Sequence, residues 1–134
     1  MRRIGLAVVF VVTLAGSVSA QMVGYSIHVS TGEVSTFSCD EDGPSACFTD
    51  RTVLGIIDIH SPNATAISPA GEFVVVDRTN RSLVWFELPT LEVLSSLALD
   101  PGIPDVWDIA YGPDGALWMS SGPSLLIIDQ VTGE

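Results

Sequence analysis

Five residues in two short connections between apolar segments could bind a ligand or take part in catalysis. A histidine can act as a base or ligate a metal, and two nearby carboxylates can hold a cation such as calcium through oxygen. An exposed indole can stack on a sugar or another flat ring. Each residue also has a structural explanation, because Asp and Asn before a strand commonly cap turns and Trp often lies in a core. The candidate ligand-binding residues are His60, Asn63, Asp105, Trp107 and Asp108.

The compact signatures of common enzyme classes are absent from the sequence. There is no Gly-x-Ser-x-Gly elbow, no His-Glu-x-x-His zinc helix, no phosphate-binding loop and no dinucleotide fingerprint. The two histidines, His28 and His60, lie far apart in the chain, which argues against a histidine-rich metal site. We therefore assign no catalytic residue and no metal ligand, and we favour a non-enzymatic function over an enzymatic one.

The first 20 residues have the three parts of a secretory signal peptide. Arg2 and Arg3 are followed by an almost wholly apolar stretch over residues 4–15, and residues 18–20 are Val-Ser-Ala. We predict cleavage before Gln21 and a secreted or periplasmic product. The alternative is an uncleaved anchor, but the apolar stretch is shorter than the about 20 residues that a membrane-spanning helix needs.

The part of the chain that would remain after cleavage is strongly acidic. It has three arginines, no lysine and sixteen acidic residues, which gives a formal charge of −13. Such a surface repels nucleic acid and anionic lipid, because both are bound through cationic side chains. We therefore expect neither nucleic acid nor a membrane as a partner of the exported protein.

Two cysteines, Cys39 and Cys47, flank a polar, turn-rich stretch over residues 40–46. Export would allow them to oxidise, so we predict a disulfide that closes this small loop. On chain entropy such a bridge contributes about 2–3 kcal/mol to stability. A reactive thiol pair is disfavoured because the Cys-x-x-Cys spacing is absent.

Short runs of Val, Ile, Leu, Phe and Trp, separated by turn residues, predict an all-β chain. None of the runs keeps a helical period over ten residues, and their lengths are typical of strands. Pro-Ala-Gly at 69–71 and Gly-Pro-Asp-Gly at 112–115 are typical turn sequences. The predicted strands lie near 22–29, 33–38, 52–59, 64–68, 72–77, 82–87, 92–99, 106–111, 116–120 and 125–129.

The predicted strands belong to an internal repeat with a spacing of 40–44 residues. A repeat of this length that holds four short strands is typical of the sheets of a β-propeller, which are called blades. The segments that match at this spacing are 52–59 with 92–99, 66–74 with 109–118, and 83–87 with 125–129. Residues 25–33 are also similar to residues 126–134.

The segment over residues 107–118, with Leu-Ile-Ile-Asp at 126–129 and Thr-Gly-Glu at 132–134, resembles the blades of one propeller group. That group comprises the NHL, lactonase-like and streptogramin-lyase-like propellers. The resemblance implies antiparallel four-stranded blades, about two and a half of them, in an incomplete ring. It divides the chain into a signal peptide at 1–20 and a partial propeller at 21–134, with blade remnants at about 22–59, 60–100 and 101–134.

The resemblance also suggests where a ligand would bind. In propellers, binding residues usually gather where the innermost strand of each blade begins, and the five candidate residues lie in those connections. We interpret the chain as an exported binding or interaction module for an unknown small molecule, glycan or protein. The alternative is a fragment or subunit of a secreted propeller enzyme of the lyase or lactonase type. The cofactor is unknown, with a divalent cation such as calcium as one option.

Either a longer propeller has been truncated, or copies of the chain associate to complete a ring. A ring of this kind needs four to eight blades. The amino-acid sequence alone leaves both interpretations open.

Overall fold

The computed structural model describes residues 6–11, 22–39 and 50–134. These residues form antiparallel β-strands and contain no helix. The strands form three sheets. The first sheet contains β1 (Leu6–Val11), β2 (Met22–His28), β3 (Glu33–Cys39) and β4 (Asp50–Ile56). The second sheet contains β5 (Pro62–Ile67), β6 (Phe73–Asp77), β7 (Ser82–Phe86) and β8 (Val93–Ala98). The third sheet contains β9 (Val106–Tyr111), β10 (Leu117–Ser121) and β11 (Ser124–Ile128).

Each sheet is a simple meander in which consecutive strands are hydrogen-bonded neighbours. The turns that connect the strands follow from local sequence. Gly71 and Gly115 close the β5–β6 and β9–β10 turns with φ of 87° and 81°. Their amides donate to the carbonyls of Ser68 at 2.9 Å and Gly112 at 3.0 Å. Glycine is favoured at both positions because a left-handed backbone is costly for residues that carry a Cβ.

The three sheets are stacked face to face, and a hydrophobic core fills each of the two interfaces. The core between the first and second sheets includes Ile27, Val34, Phe73 and Val75. The core between the second and third sheets is larger. Its members come from both sheets and from the connection between them: Ala64, Ala66, Val74, Val76, Leu83, Trp85, Leu99, Ile103, Val106, Ile109, Leu117, Met119 and Ile128. Among the first strands of the three sheets, β5 contacts both β1 and β9.

The predicted fold class, antiparallel β-sheets of propeller type in an incomplete ring, is confirmed. Each of the ten predicted segments overlaps one strand, and the described residues form three sheets without closing a ring. The unpredicted strand is β1, where Leu6–Val11 pairs with β2 from Leu6 opposite His28 to Val11 opposite Val23. These residues belong to the segment that we interpret as a signal peptide.

Two predictions near the N-terminus remain predictions. Cleavage before Gln21 falls at a residue outside the described part of the chain, and so does Cys47 of the proposed Cys39–Cys47 disulfide. The described residues also contain no helix that is long and apolar enough to span a membrane.

The hydroxyl of Thr65 on β5 is buried and has no hydrogen-bond partner among the described residues. Replacing Thr65 with valine should raise the free energy of unfolding by about 1 kcal/mol, because it removes an unsatisfied buried polar group and keeps the shape. Urea denaturation followed by circular dichroism measures this change. Thr65→Ser is the control, and we expect it to lower stability by about 0.8 kcal/mol through the lost methyl group. A less stable valine variant would contradict the prediction.

Candidate functional site

The inner strand of the third sheet begins with a β-bulge that isolates Trp107. Val106 pairs with Ser121 and Asp108 pairs with Ser120, so Trp107 has no residue opposite it on β10. A bulge breaks the alternation of side chains and redirects the residue it contains, which is why bulges often lie beside binding sites. The indole of Trp107 is 63% exposed.

The inner strand of the second sheet has a bulge at the equivalent position. Pro62 pairs with Asp77 and Thr65 pairs with Val75, so Asn63 lies in the irregular stretch between these two pairs. The same feature therefore occurs at the same end of two neighbouring strands.

The two bulged residues have different surroundings. The Nδ2 group of Asn63 donates a hydrogen bond to the carbonyl oxygen of Val106, at the start of the next inner strand. Asn63 therefore holds β5 and β9 together and its amide group is already engaged. Trp107, in contrast, is an exposed aromatic residue at this end of the sheets.

Asp105 is paired with an arginine that sequence analysis did not consider. Its Oδ2 lies 2.6 Å from Nη2 of Arg78, and both side chains are more than half exposed. An exposed pair of this kind contributes about 0–1 kcal/mol to stability. The positive charge of Arg78 opposes cation binding at Asp105, which weakens the calcium hypothesis at this residue.

Arg81, at the other end of the same turn, fixes the connection that leads to β9. Its Nη2 donates to the carbonyl oxygens of Asp100 at 3.3 Å, Pro101 at 3.2 Å and Ile103. Residues 78–81 were not among the candidate binding residues selected from the sequence. One feature of the sequence could have drawn attention to this turn, because two of the three arginines after residue 20 lie in its four positions.

A small cleft lies between this turn and the connection. It is lined by Val76, Arg78, Arg81, Asp105 and Val106 among others, and its volume is about 30 Å³. Pockets that enclose a small-molecule ligand usually measure about 300–1,000 Å³. The cleft therefore has room for ordered water, and a larger ligand would have to bind on the surface beside it.

An open groove of about 420 Å³ runs along the outer side of the third sheet. Its lining includes Asp100, Ile103 and Pro104 from the connection and Leu126 and Ile128 from β11. None of the five predicted binding residues lines this groove. It is mainly apolar, and it extends to Pro104 and Ser124 near the bulged end of β9.

The hydrogen bond of Asn63 on β5 to Val106 brings Asn63 to the start of β9, where Asp105, Trp107 and Asp108 lie. His60 is an exposed residue of the connection before β5, two positions from the start of that strand. The Oδ1 atom of Asp108 accepts a hydrogen bond from the backbone amide of Ile109 at 2.9 Å. Among the described residues, no three His, Cys, Asp or Glu side chains lie close enough to hold a metal ion together.

A hydrogen-bonded chain crosses from the second to the third sheet at the opposite ends of these strands. The indole Nε1 of Trp85 donates to the hydroxyl of Tyr111 at 3.1 Å, and that hydroxyl donates to Oε1 of Gln130 at 3.0 Å. Burial raises the pKa of Tyr111 above its ordinary value, the bond from Trp85 opposes this increase, and the negative charge of Glu72 adds to it.

Replacing Tyr111 with phenylalanine should remove a pH-dependent part of the stability. In the unfolded chain tyrosine ionises near pH 10, and in the folded chain Tyr111 ionises above that value. The free energy of unfolding should therefore fall as the pH rises through about 10 and level off above the folded-state pKa. Urea denaturation at pH values from 8 to 11 should show a smaller fall for Tyr111→Phe than for the wild type. Equal slopes would contradict this.

Comparison with known proteins supports the fold at low sequence identity. No known protein family and no curated protein matches the chain. Among solved structures, the selenomethionine-substituted virginiamycin B lyase from Staphylococcus aureus is 12% identical with a TM-score of 0.56, and the match covers 90% of this chain and 42% of that one. The catalytically inactive form of that lyase with quinupristin gives the same identity and TM-score, with 90% and 41% covered.

Hydrazine synthase of Kuenenia stuttgartiensis is 16% identical with a TM-score of 0.51, over 81% of this chain and 30% of that one. The chain spans less than half the length of each of these structures. At such identities the likeness shows the fold alone. The two lyase structures are β-propellers, and the three stacked antiparallel sheets of this chain correspond to part of one.

Proposed function

We propose, with the partial β-propeller fold as the premise, that this chain is an exported binding module whose ligand contacts the surface where β5 and β9 begin. The observation that supports this proposal is Trp107. Its position in a bulge directs a large aromatic side chain to the surface, where it is 63% exposed. Aromatic residues of this kind bind ligands through their flat face.

The charges around Trp107 indicate the type of ligand. Asp108 follows it directly and is exposed, and the chain after residue 20 has a formal charge of −13. Arg78, the nearby cation, is paired with Asp105. An anionic ligand would be repelled, so a neutral or cationic ligand fits best. Because the cleft measures about 30 Å³, the ligand would lie on the surface, as a sugar or a flat ring does on an indole.

Ligand-detected NMR on the purified chain tests this proposal. The probes are a set of neutral oligosaccharides, a set of cationic aromatic compounds and a set of anionic aromatic compounds. We expect binding within one of the first two sets, and Trp107→Ala should weaken that binding about 10-fold through loss of the stacking contact. Val131→Ala is the matched control, because Val131 is 85% exposed and lies away from the bulges.

The proposal is wrong if Trp107→Ala binds the identified compound as well as the wild type does. It is also wrong if only anionic compounds bind. Circular dichroism spectra of the two variants should coincide with that of the wild type, because both replaced side chains are exposed. The comparison then reports on binding and not on folding.

Export is the second part of the proposal, and the mass of the secreted product tests it. Cleavage before Gln21 would give a chain that starts at that residue and lacks β1. The edge of β2 would then be free to pair with another strand. A secreted product that retains Leu6–Val11 would overturn the predicted cleavage site, and a product found only in the cytosol would overturn export.

A further inference from the structure

The third sheet has one face that no described residue covers. Two rows of paired residues cross this face, and the row Ala110, Trp118 and Ile127 is mainly apolar. In the neighbouring row, Leu125 lies beside Ser120. Leu125 is 65% exposed and Ile127 is 56% exposed. We call these residues the free face of the third sheet.

The second sheet has an equivalent face, and there it is buried. The row Ala66, Val74 and Trp85 corresponds in the repeat to the apolar row of the third sheet, and Leu83 corresponds to Leu125. None of these four residues is more than 6% exposed, because the third sheet packs on them. The free face therefore corresponds to a face that is covered by a neighbouring sheet in the second sheet of this chain.

The first sheet also has a face that points away from the second sheet, at the other end of the stack of three sheets. Val34 packs towards the second sheet, so its neighbour Ser35 points the other way, together with Val53, which pairs with Ser35. Phe37 and Ser35 on this face are buried, but Val53 is 52% exposed and Ile56 is 71% exposed. We call the exposed part of this face, formed by Val53 and Ile56, the outer face of the first sheet.

We propose that two copies of this chain associate head to tail, with the free face of the third sheet of one copy on the outer face of the first sheet of the other. This contact continues the stacking that the chain already shows twice, where the second sheet packs on the first and the third on the second. Two copies with three sheets each supply six sheets, within the four to eight of closed propellers.

Head-to-tail contacts of this kind form closed rings when the rotation between copies allows it. Arg51, the cation beside the outer face, is already paired with Glu33 and also donates to Ser35, so the apolar residues and not the charges of the two faces support the contact. The copies repel each other through their net charge of −11, or −13 after cleavage. Association should therefore strengthen when salt screens that repulsion.

Sedimentation velocity of the purified chain over a range of concentrations measures the association. We expect a species of twice the chain mass. Ile127→Asp should raise the dissociation constant about 30-fold or more, because it buries an unpaired charge at the centre of the contact. Val131→Asp is the control, since it adds the same charge at a position that is 85% exposed and outside both faces.

A second variant decides which surfaces meet. Val53→Asp, on the other side of the proposed contact, should weaken association to a similar degree. A mixture of the Ile127→Asp and Val53→Asp chains should again form dimers, because one of the two contacts then joins two unaltered faces. If Ile127→Asp alone weakens association, the copies meet through the same face and the head-to-tail arrangement is wrong. A wild type that stays monomeric at all concentrations and salt levels overturns the proposal.

Discussion

Replacing Phe73 with alanine is expected to lower the free energy of unfolding by about 3–5 kcal/mol, the usual cost of removing a buried aromatic ring. Phe73 has no exposed surface and lies at the centre of the core between the first and second sheets. Its ring is 6.3 Å from that of Tyr25 on β2, and its cross-strand partner on β7 is Phe86. The loss should therefore include contacts both within the second sheet and between the two sheets.

Urea denaturation with circular dichroism and fluorescence detection measures the effect of Phe73→Ala. Val93→Ala is the matched control, because Val93 pairs with Phe86 in the same sheet but is 63% exposed. We expect this control to change stability by less than about 0.5 kcal/mol. A loss below about 1 kcal/mol for Phe73→Ala would mean that the two sheets are not packed on each other as described here.

Replacing Gly32 with alanine should have an effect of similar size for a different reason. Gly32 has φ of 70°, and a Cβ atom at this position would lie 2.3 Å from the carbonyl oxygen of Ile57. The carbonyl of Gly32 also accepts a hydrogen bond from the amide of Ile57 at 3.0 Å, which would be lost if the chains moved apart. The left-handed backbone costs alanine about 1–2 kcal/mol, and the clash adds about 1–2 kcal/mol more.

Gly71→Ala separates the two parts of this cost. Gly71 has φ of 87°, but a Cβ atom there would meet no atom within 4 Å. In Gly71→Ala the free energy of unfolding should therefore fall only by the cost of the left-handed backbone, about 1–2 kcal/mol. Thermal or urea denaturation of the two variants should show a larger loss for Gly32→Ala. Equal losses would indicate that the turn containing Gly32 does not press against the chain at Ile57.

The proposed ligand site and the proposed association surface use different parts of the third sheet. The ligand site depends on Trp107 at the start of β9, whereas association depends on Ile127 and Leu125 on β11. Trp107→Ala should therefore leave the mass of the assembly unchanged, and Ile127→Asp should leave binding of a small ligand to Trp107 unchanged. Failure of one proposal would not imply failure of the other.

The sequence pointed to the connections that begin the inner strands, and the binding role of the five residues chosen there stays a prediction. It did not predict the pairing of Arg78 with Asp105, the hydrogen bonds of Arg81 to its neighbouring connection, or the engagement of Asn63 with Val106. These contacts join residues 19 or more positions apart, so no local pattern reports them.

The amino-acid sequence by itself determined where ten of the strands and their turns lie. Strand positions follow from runs of β-branched and aromatic residues, and turns follow from Pro and Gly residues that fix φ or accept a positive φ. Both signals depend on neighbouring residues. The repeat of 40–44 residues added the order of the sheets, because each unit encodes one meander.

Only the tertiary structure decided which side chains are available for binding. Trp107 and Trp85 are both tryptophans of predicted strands, yet one is 63% exposed and the other 6%. The difference arises because a bulge in the pairing of β9 with β10 turns Trp107 outward, while the third sheet covers Trp85. Strand register and sheet stacking depend on residues far apart in the chain, so the exposure of a side chain cannot be read from its neighbours in sequence.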